Sequence, residues 1–136
     1  MALTAGRSLD RRGAEPSAGA FAYSVAASHR VYRGGFVAVT AAGVLVRVGQ
    51  AGAVRFVGIA SRDLDNTAGA AASVGKVTAL KGTYPITVPT ATAANINDAV
   101  YATDDNTATL TVGTNLQIGT IAGIENGQTY VKLLGS

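Results

Sequence analysis

Cysteine and tryptophan are absent from this 136-residue chain, and histidine occurs once, at position 29. Without cysteine there is neither a disulfide framework nor a thiolate metal site. With His29 as the sole imidazole, a zinc site of His or Cys type is excluded as well. No apolar run reaches the roughly 18 residues that a membrane-spanning helix needs. Nor does an apolar h-region follow the first basic residues, so the sequence reads as soluble and not exported by a standard signal. Aromatic residues amount to three Phe and five Tyr, which predicts a thin core with few large anchors.

What is abundant is small or β-branched. Ala inflates an apolar fraction of 48%, Val, Thr and Ile are frequent, and Gly numbers 17. β-Branched side chains lose rotamer freedom in helices and pack well on pleated strands, and glycine supplies tight turns. An all-β fold is expected, as a small antiparallel barrel or sandwich with at most one short helical turn. The length fits a single domain.

Charge divides the chain. Residues 1–62 hold eight Arg against Asp10 and Glu15, a balance of +6, whereas the remainder holds three Lys against six acids, a balance of −3. A basic front of this kind can steer association with an acidic surface or with a neighbouring copy. Residues 1–20 show neither a period of two nor one of 3.6 and read as an extended arm, with a single β domain over residues 21–136. Fully extended, such an arm spans about 60 Å at about 3.3 Å per residue.

From Phe21 onward, short apolar runs recur between turn signals at the spacing of a small barrel or sandwich. Strands are expected over residues 36–40, 44–48, 54–60, 73–80, 84–88, 99–102, 107–112, 116–124 and 128–134. Val44, Val46 and Val48 alternate with Leu45 and Arg47, and Tyr84, Ile86 and Val88 with Pro85 and Thr87, leaving one face wet. Gly43 closes one hairpin, and the Asn126-Gly127 pair, tolerant of positive φ, closes another. Gly58 and Gly119 interrupt strand-like runs and mark bulges or sharp bends. A helical turn capped by Thr90 or Thr92 is expected over residues 92–98.

No motif with chemical meaning keeps its required spacing. Around Gly75-Lys76 the phosphate-binding loop would need glycine where Ala70 stands and a hydroxyl where Val77 stands. Asp63, Asp65, Asp104 and Asp105 lack the spacing of a calcium loop and its bidentate Glu. Asp65-Asn66, with Gly69, and Asp104-Asp105-Asn106 instead suit turns whose side chains bond their own backbone. His29 has no nucleophile elbow near it, so no catalytic residue is assigned and the chain is read as no enzyme. Arg7, Arg11 and Arg12 stand without aromatic residues among them to stack on bases, which favours an acidic protein surface over nucleic acid.

The ordered blocks Val31-Tyr32-Arg33-Gly34-Gly35-Phe36-Val37-Ala38-Val39, Phe56-Val57-Gly58-Ile59-Ala60 and Asp65-Asn66-Thr67-Ala68-Gly69-Ala70-Ala71 lead into Ala99-Val100-Tyr101-Ala102-Thr103-Asp104-Asp105-Asn106-Thr107. They are followed by Ile118-Gly119-Thr120-Ile121 and Tyr130-Val131-Lys132-Leu133. In this order, from Tyr23 to Leu134, the chain resembles the small capsid decoration (cement) proteins of tailed bacteriophages.

The resemblance implies a structural protein on the outer surface of a mature icosahedral head, made in the host cytoplasm and bridging capsomers. Its partners would be the major capsid protein and other copies of itself, commonly as homotrimers and also as dimers. No cofactor, nucleic acid, membrane or small-molecule substrate is implied, and no catalytic residue can be carried over. Arg7, Arg11, Arg12, Arg30 and Arg33 are the candidate contacts to capsid or neighbour. A surface-displayed adhesin or carbohydrate-binding module is the alternative, disfavoured by the scarcity of aromatic residues for stacking sugars.

Overall fold

The computed structural model describes residues 2–8 and 20–136. Twelve strands account for nearly all its regular structure. They are β1 (Phe21–Ser24), β2 (His29–Val31), β3 (Phe36–Val39), β4 (Leu45–Arg47), β5 (Arg55–Ala60), β6 (Leu64–Asn66), β7 (Lys76–Leu80), β8 (Thr83–Pro85), β9 (Ala99–Ala102), β10 (Ala108–Thr109), β11 (Leu116–Glu125) and β12 (Gln128–Leu133). One 3₁₀ turn, Ala93–Asn95, follows Thr92 as its N-cap.

The strands form one open sheet in the order β1-β7-β5-β3-β4, a second in the order β10-β9-β11-β12-β8, and a ribbon of β2 with β6. Every ladder is antiparallel, with one isolated parallel bridge between Val25 and Leu45. Neither five-stranded sheet closes on itself, so of barrel and sandwich the fold is a sandwich.

Alternation along the strands explains the layering. Phe36, Ala38, Phe56 and Ile59 of the first sheet face Tyr84, Ile86, Val100, Ile118, Ile121, Val131 and Leu133 of the second. Val37, Val57, Ala60, Val77 and Ala79 point the other way, into a smaller cluster with Val25, Val31 and Leu45. Both faces of the first sheet are therefore apolar, which is why Phe36–Ala38 and Phe56–Ala60 read as continuous buried runs. Fully burying a side chain such as Phe36 or Ile118 contributes about 1.5–3 kcal/mol. The buried aromatics Phe36, Phe56 and Tyr84 lie in the larger cluster, while Tyr23 packs half-buried against the smaller one.

Gly58 and Gly119 reset this alternation. The β3–β5 register passes from Val37 opposite Gly58 to Ala38 opposite Phe56, leaving Val57 as the extra residue. The β11–β9 register likewise passes from Gln117 opposite Tyr101 to Gly119 opposite Val100, leaving Ile118 extra. A Cβ on Gly58 would lie under 3 Å from Leu80 O, and one on Gly119 equally close to Lys132 O. Ile118 and Ile121 thus reach the same core although strict alternation would place them on opposite faces.

Several strands are shorter than their apolar runs because side chains compete for the backbone. Asn115 Nδ2 donates to Thr111 O at 3.1 Å and Thr111 N to Thr109 Oγ1 at 3.1 Å, so the run over 107–112 pairs only at Ala108–Thr109. Ser73 Oγ accepts the Val25 N–H at 2.8 Å and donates to Gly75 O, which delays the start of β7 to Lys76. The expected hairpins form, with Gly43 at φ +80° between β3 and β4, and Asn126 and Gly127 at φ +52° and +76° between β11 and β12.

Candidate interaction surface

The turn from Tyr32 to Phe36 is where the two parts of the chain meet. It is closed by Gly35 N donating to Tyr32 O at 3.0 Å, and it is tied to β5 by Gly34 N to Ala60 O at 2.9 Å and Ala60 N to Gly35 O at 3.0 Å. Phe36 N also donates to Asp105 O at 3.0 Å, which brings the Asp104-Asp105-Asn106 turn alongside.

Residues 2–8 lie across this platform. Arg7 N donates to Arg33 O at 2.7 Å, Arg7 Nε to Gly34 O at 2.9 Å, and the Arg7 guanidinium also to Asn106 Oδ1. The same guanidinium sits 5.8 Å from the centroid of the Phe36 ring. Leu3 N donates to Asp105 Oδ1 at 2.8 Å, and Arg33 Nε to Arg7 O at 3.2 Å. Glycine makes the approach possible: a Cβ on Gly34, at φ +79°, would overlap Arg7, and one on Gly35 would stand 3.0 Å from Leu3 Cδ1.

Asp105 is buried at 1% exposure, and its Oδ2 has no hydrogen-bond partner. Burial pushes its carboxyl above the usual range, opposed by the Leu3 N–H and by the charges of Arg47 and Arg7, while Asp104 adds to the rise. Burial also lowers the Arg7 guanidinium from its ordinary value, against the pull of Asp105. Asp104 behaves as a turn acid: burial raises its carboxyl, but hydrogen bonds from Asn106 N and Thr107 outweigh that and lower it.

Beside this groove the Arg30 and Arg47 guanidinia stand 4.7 and 5.9 Å from the Tyr32 ring centroid. Arg30 also pairs with Asp65 at 3.6 Å, with both side chains well exposed. His29 Nε2 accepts the Arg47 N–H at 3.1 Å, so the ring is neutral there, and burial followed by the Arg47 charge lowers its pKa. Arg33 is exposed, its N–H donating to Asp63 Oδ1 at 2.7 Å.

Of the five arginines singled out from sequence, Arg7, Arg30 and Arg33 gather here, while Arg11 and Arg12 lie outside the described residues. The turn residues are placed elsewhere. Asp65 Oδ1 accepts from Thr67 N at 3.0 Å and Thr67 Oγ1 at 2.6 Å, which lowers its carboxyl. Asn66 Nδ2 reaches the carbonyls of Val25, Ala26 and Ala71 at 3.2, 2.9 and 3.0 Å. Gly69 leaves room for that amide, since a Cβ there would overlap Asn66 Oδ1.

Tyr32, Arg47, Asn106, Gly34 and Gly35 belong to the surface without having been singled out as contacts. The Gly34-Gly35 pair is the one local signal that could have pointed there. Among the described residues no group of three or more His, Asp or Glu side chains is placed to hold a metal ion. No helix among them is long and apolar enough to cross a membrane. No protein-family model, curated protein or solved structure matches the chain.

Proposed function

We propose that this chain is a non-enzymatic structural protein that decorates the outer surface of an icosahedral phage head and stabilises it by bridging capsomers. The observation that carries the reading furthest is the arginine surface: Arg30, Arg33 and Arg47 are carried on or beside short strands of a cross-braced sandwich, two of them against the Tyr32 ring. Guanidinium forks pair bidentately with carboxylates, and stacking limits the rotamer freedom lost on docking. The ordered sequence blocks support the same reading independently. A clamp that binds only the assembled shell stabilises it by mass action, and many weak copies act together.

Single exposed ion pairs contribute little, so several arginines must act at once. The test is sedimentation of the full chain with purified, expanded, undecorated heads, alongside an Arg30→Glu/Arg33→Glu double variant. Saturable occupancy by the parent chain and at least tenfold weaker binding by the variant are expected. No binding of the parent chain to heads, together with saturable hits on a glycan array, would replace this reading with a carbohydrate-binding module.

A further inference from the structure

Among the described residues, the contacts that hold residues 2–8 on the sandwich are distant in sequence. Their hydrogen bonds run to Arg33, Gly34, Asp105 and Asn106, at separations of 26 to 102 residues. Eleven residues, 9–19, lie between this segment and the described body. At about 3.4 Å per residue that length spans at most about 40 Å, enough to reach a neighbouring molecule of this size.

The groove is built as a receptor. Two glycines remove the side chains that would block Leu3 and Arg7, one of them held at φ +79°. Asp105 supplies a buried acceptor that pairs with the Leu3 N–H. Emptying the groove would exchange the Leu3 N–H bond for water and give up the Arg7 contacts to Arg33, Gly34 and Asn106 together. Occupancy is therefore favoured in every state of the molecule, whichever chain supplies the segment. The strand that follows the linker, β1, forms one edge of its sheet, and Phe21 at its start is 64% exposed, which offers a partner copy a second contact.

We propose that this groove receives residues 2–8 of a second copy of the chain, so that neighbouring copies are linked by exchanging their N-terminal segments. The contacts are the same in either arrangement, and only the connection differs. A connection of only eleven residues holds its own segment at an effective concentration on the order of millimolar. The closed form prevails in dilute solution, and exchange takes over where copies are crowded. The proposal rests on the decoration reading for that crowding, but its test needs no heads.

The chain has no native cysteine, so single cysteines report cleanly. A Cβ on Gly6 would stand 3.1 Å from Arg33 Cβ, a few tenths of an ångström short of a disulfide's usual span of about 3.5–4.5 Å, and would overlap Asp63 Oδ1, so every cysteine chain also carries Asp63→Ala. Full-length Gly6→Cys and Arg33→Cys chains are mixed at about millimolar concentration and oxidised. A mixed disulfide dimer is expected, rising with concentration and at least tenfold above a Gly6→Cys with Arg55→Cys control. The Gly6→Cys/Arg33→Cys double variant should close within one chain when dilute. No excess over the control overturns exchange, and failure of the double variant to close overturns the groove.

Isotope-filtered NMR on mixed labelled and unlabelled parent chains gives the same answer without substitution. Contacts from the Leu3 methyls of one copy to Gly35 of another are expected at about millimolar concentration, and their absence there refutes exchange. Head binding without exchange would leave the decoration reading standing.

Discussion

Asn66 ties three loops together with one amide, and its replacement gives the sharpest test of how the small β2–β6 layer is held. Its Nδ2 faces the carbonyls of Val25, Ala26 and Ala71 at 3.2, 2.9 and 3.0 Å. An amide has two N–H donors, so three acceptors share them. At a net contribution of about 1 kcal/mol per hydrogen bond, Asn66→Ala should cost about 2 kcal/mol. Val25 O keeps a second donor, Ser73 N at 2.9 Å, which limits the loss at that acceptor. For a chain of this length the melting temperature should fall by about 5–10 °C.

Asn66→Asp separates this explanation from simple packing. The side chain keeps its shape, but a charged oxygen would replace the donor and point at three carbonyl oxygens. The site is half-buried, so solvent screens part of the repulsion, and an extra cost of about 1 kcal/mol beyond the Ala variant is expected. Urea unfolding with an unchanged slope would measure both. An Asp variant as stable as the Ala variant would refute the donor role. Ser73→Ala should couple to Asn66→Ala, because Ser73 Oγ holds the Val25 N–H while Asn66 holds the Val25 carbonyl.

Gly58→Ala should cost about 2–3 kcal/mol, since φ is +148° and the new Cβ would overlap Leu80 O, whereas Gly43→Ala, at φ +80° in open space, should cost about 1 kcal/mol; equal chemical-denaturation midpoints would refute the bulge account. His29 is held neutral and its pKa lowered, so its contribution is present above the unfolded value of about 6.5 and is lost as pH falls through the lower folded value. In His29→Gln the loss of stability below about pH 6.5 should be smaller, as read by melting at pH 7.5 and 5.0. Asp105 is shifted upward, so its contribution is greatest below about pH 3.9 and is lost as pH rises through the folded value. Asp105→Asn, which keeps an acceptor for Leu3 N, should gain on the parent chain as pH rises from 4 to 7, and a constant difference would refute the assignment.

The all-β class, the hairpins at Gly43 and Asn126-Gly127, and the turn over residues 92–98 were legible because each rests on local chemistry: β-branched alternation, positive φ, and a capping threonine. Strands β1, β2 and β6 were not expected, for physical reasons. β2 and β6 are three residues each and carry His, Arg, Asp and Asn, so they have no apolar period to read. β1 is a sheet edge whose only partner among the described residues is β7. The layering was hidden as well, because a sheet covered on both faces shows no wet side at Phe36–Ala38. Among the turn acids, local pairing describes Asp65 and Asp104 but not Asp105, whose partner, Leu3, is 102 residues away.

Composition alone divided the chain into a basic front and an acidic back, yet the fold brings the two together at short range. Arg7 meets Asp105 and Asn106, and Arg30 meets Asp65. Part of the positive charge expected to reach outward is thereby answered within the molecule. An acidic partner would have to compete with these contacts, and the exposed Arg30–Asp65 pair is the weakest of them, screened by salt and open to exchange. Arg7 is the opposite case: half-buried, bonded to two chain segments and seated over Phe36, it cannot turn to a partner without emptying the groove. The same blocks that carry the resemblance explain why. Gly34-Gly35 opens the groove and Asp105 anchors its occupant, while Asn66 with Gly69 and Gly119 set close backbone packing elsewhere. On the proposed reading, recognition of a capsid surface would fall chiefly to Arg30 and Arg47, while Arg33, which bonds Arg7 through both its carbonyl and its Nε, also serves the groove. Charge reversal at Arg30 should leave the Leu3–Gly35 contact unchanged, whereas Gly34→Val should abolish it, which separates the two roles experimentally.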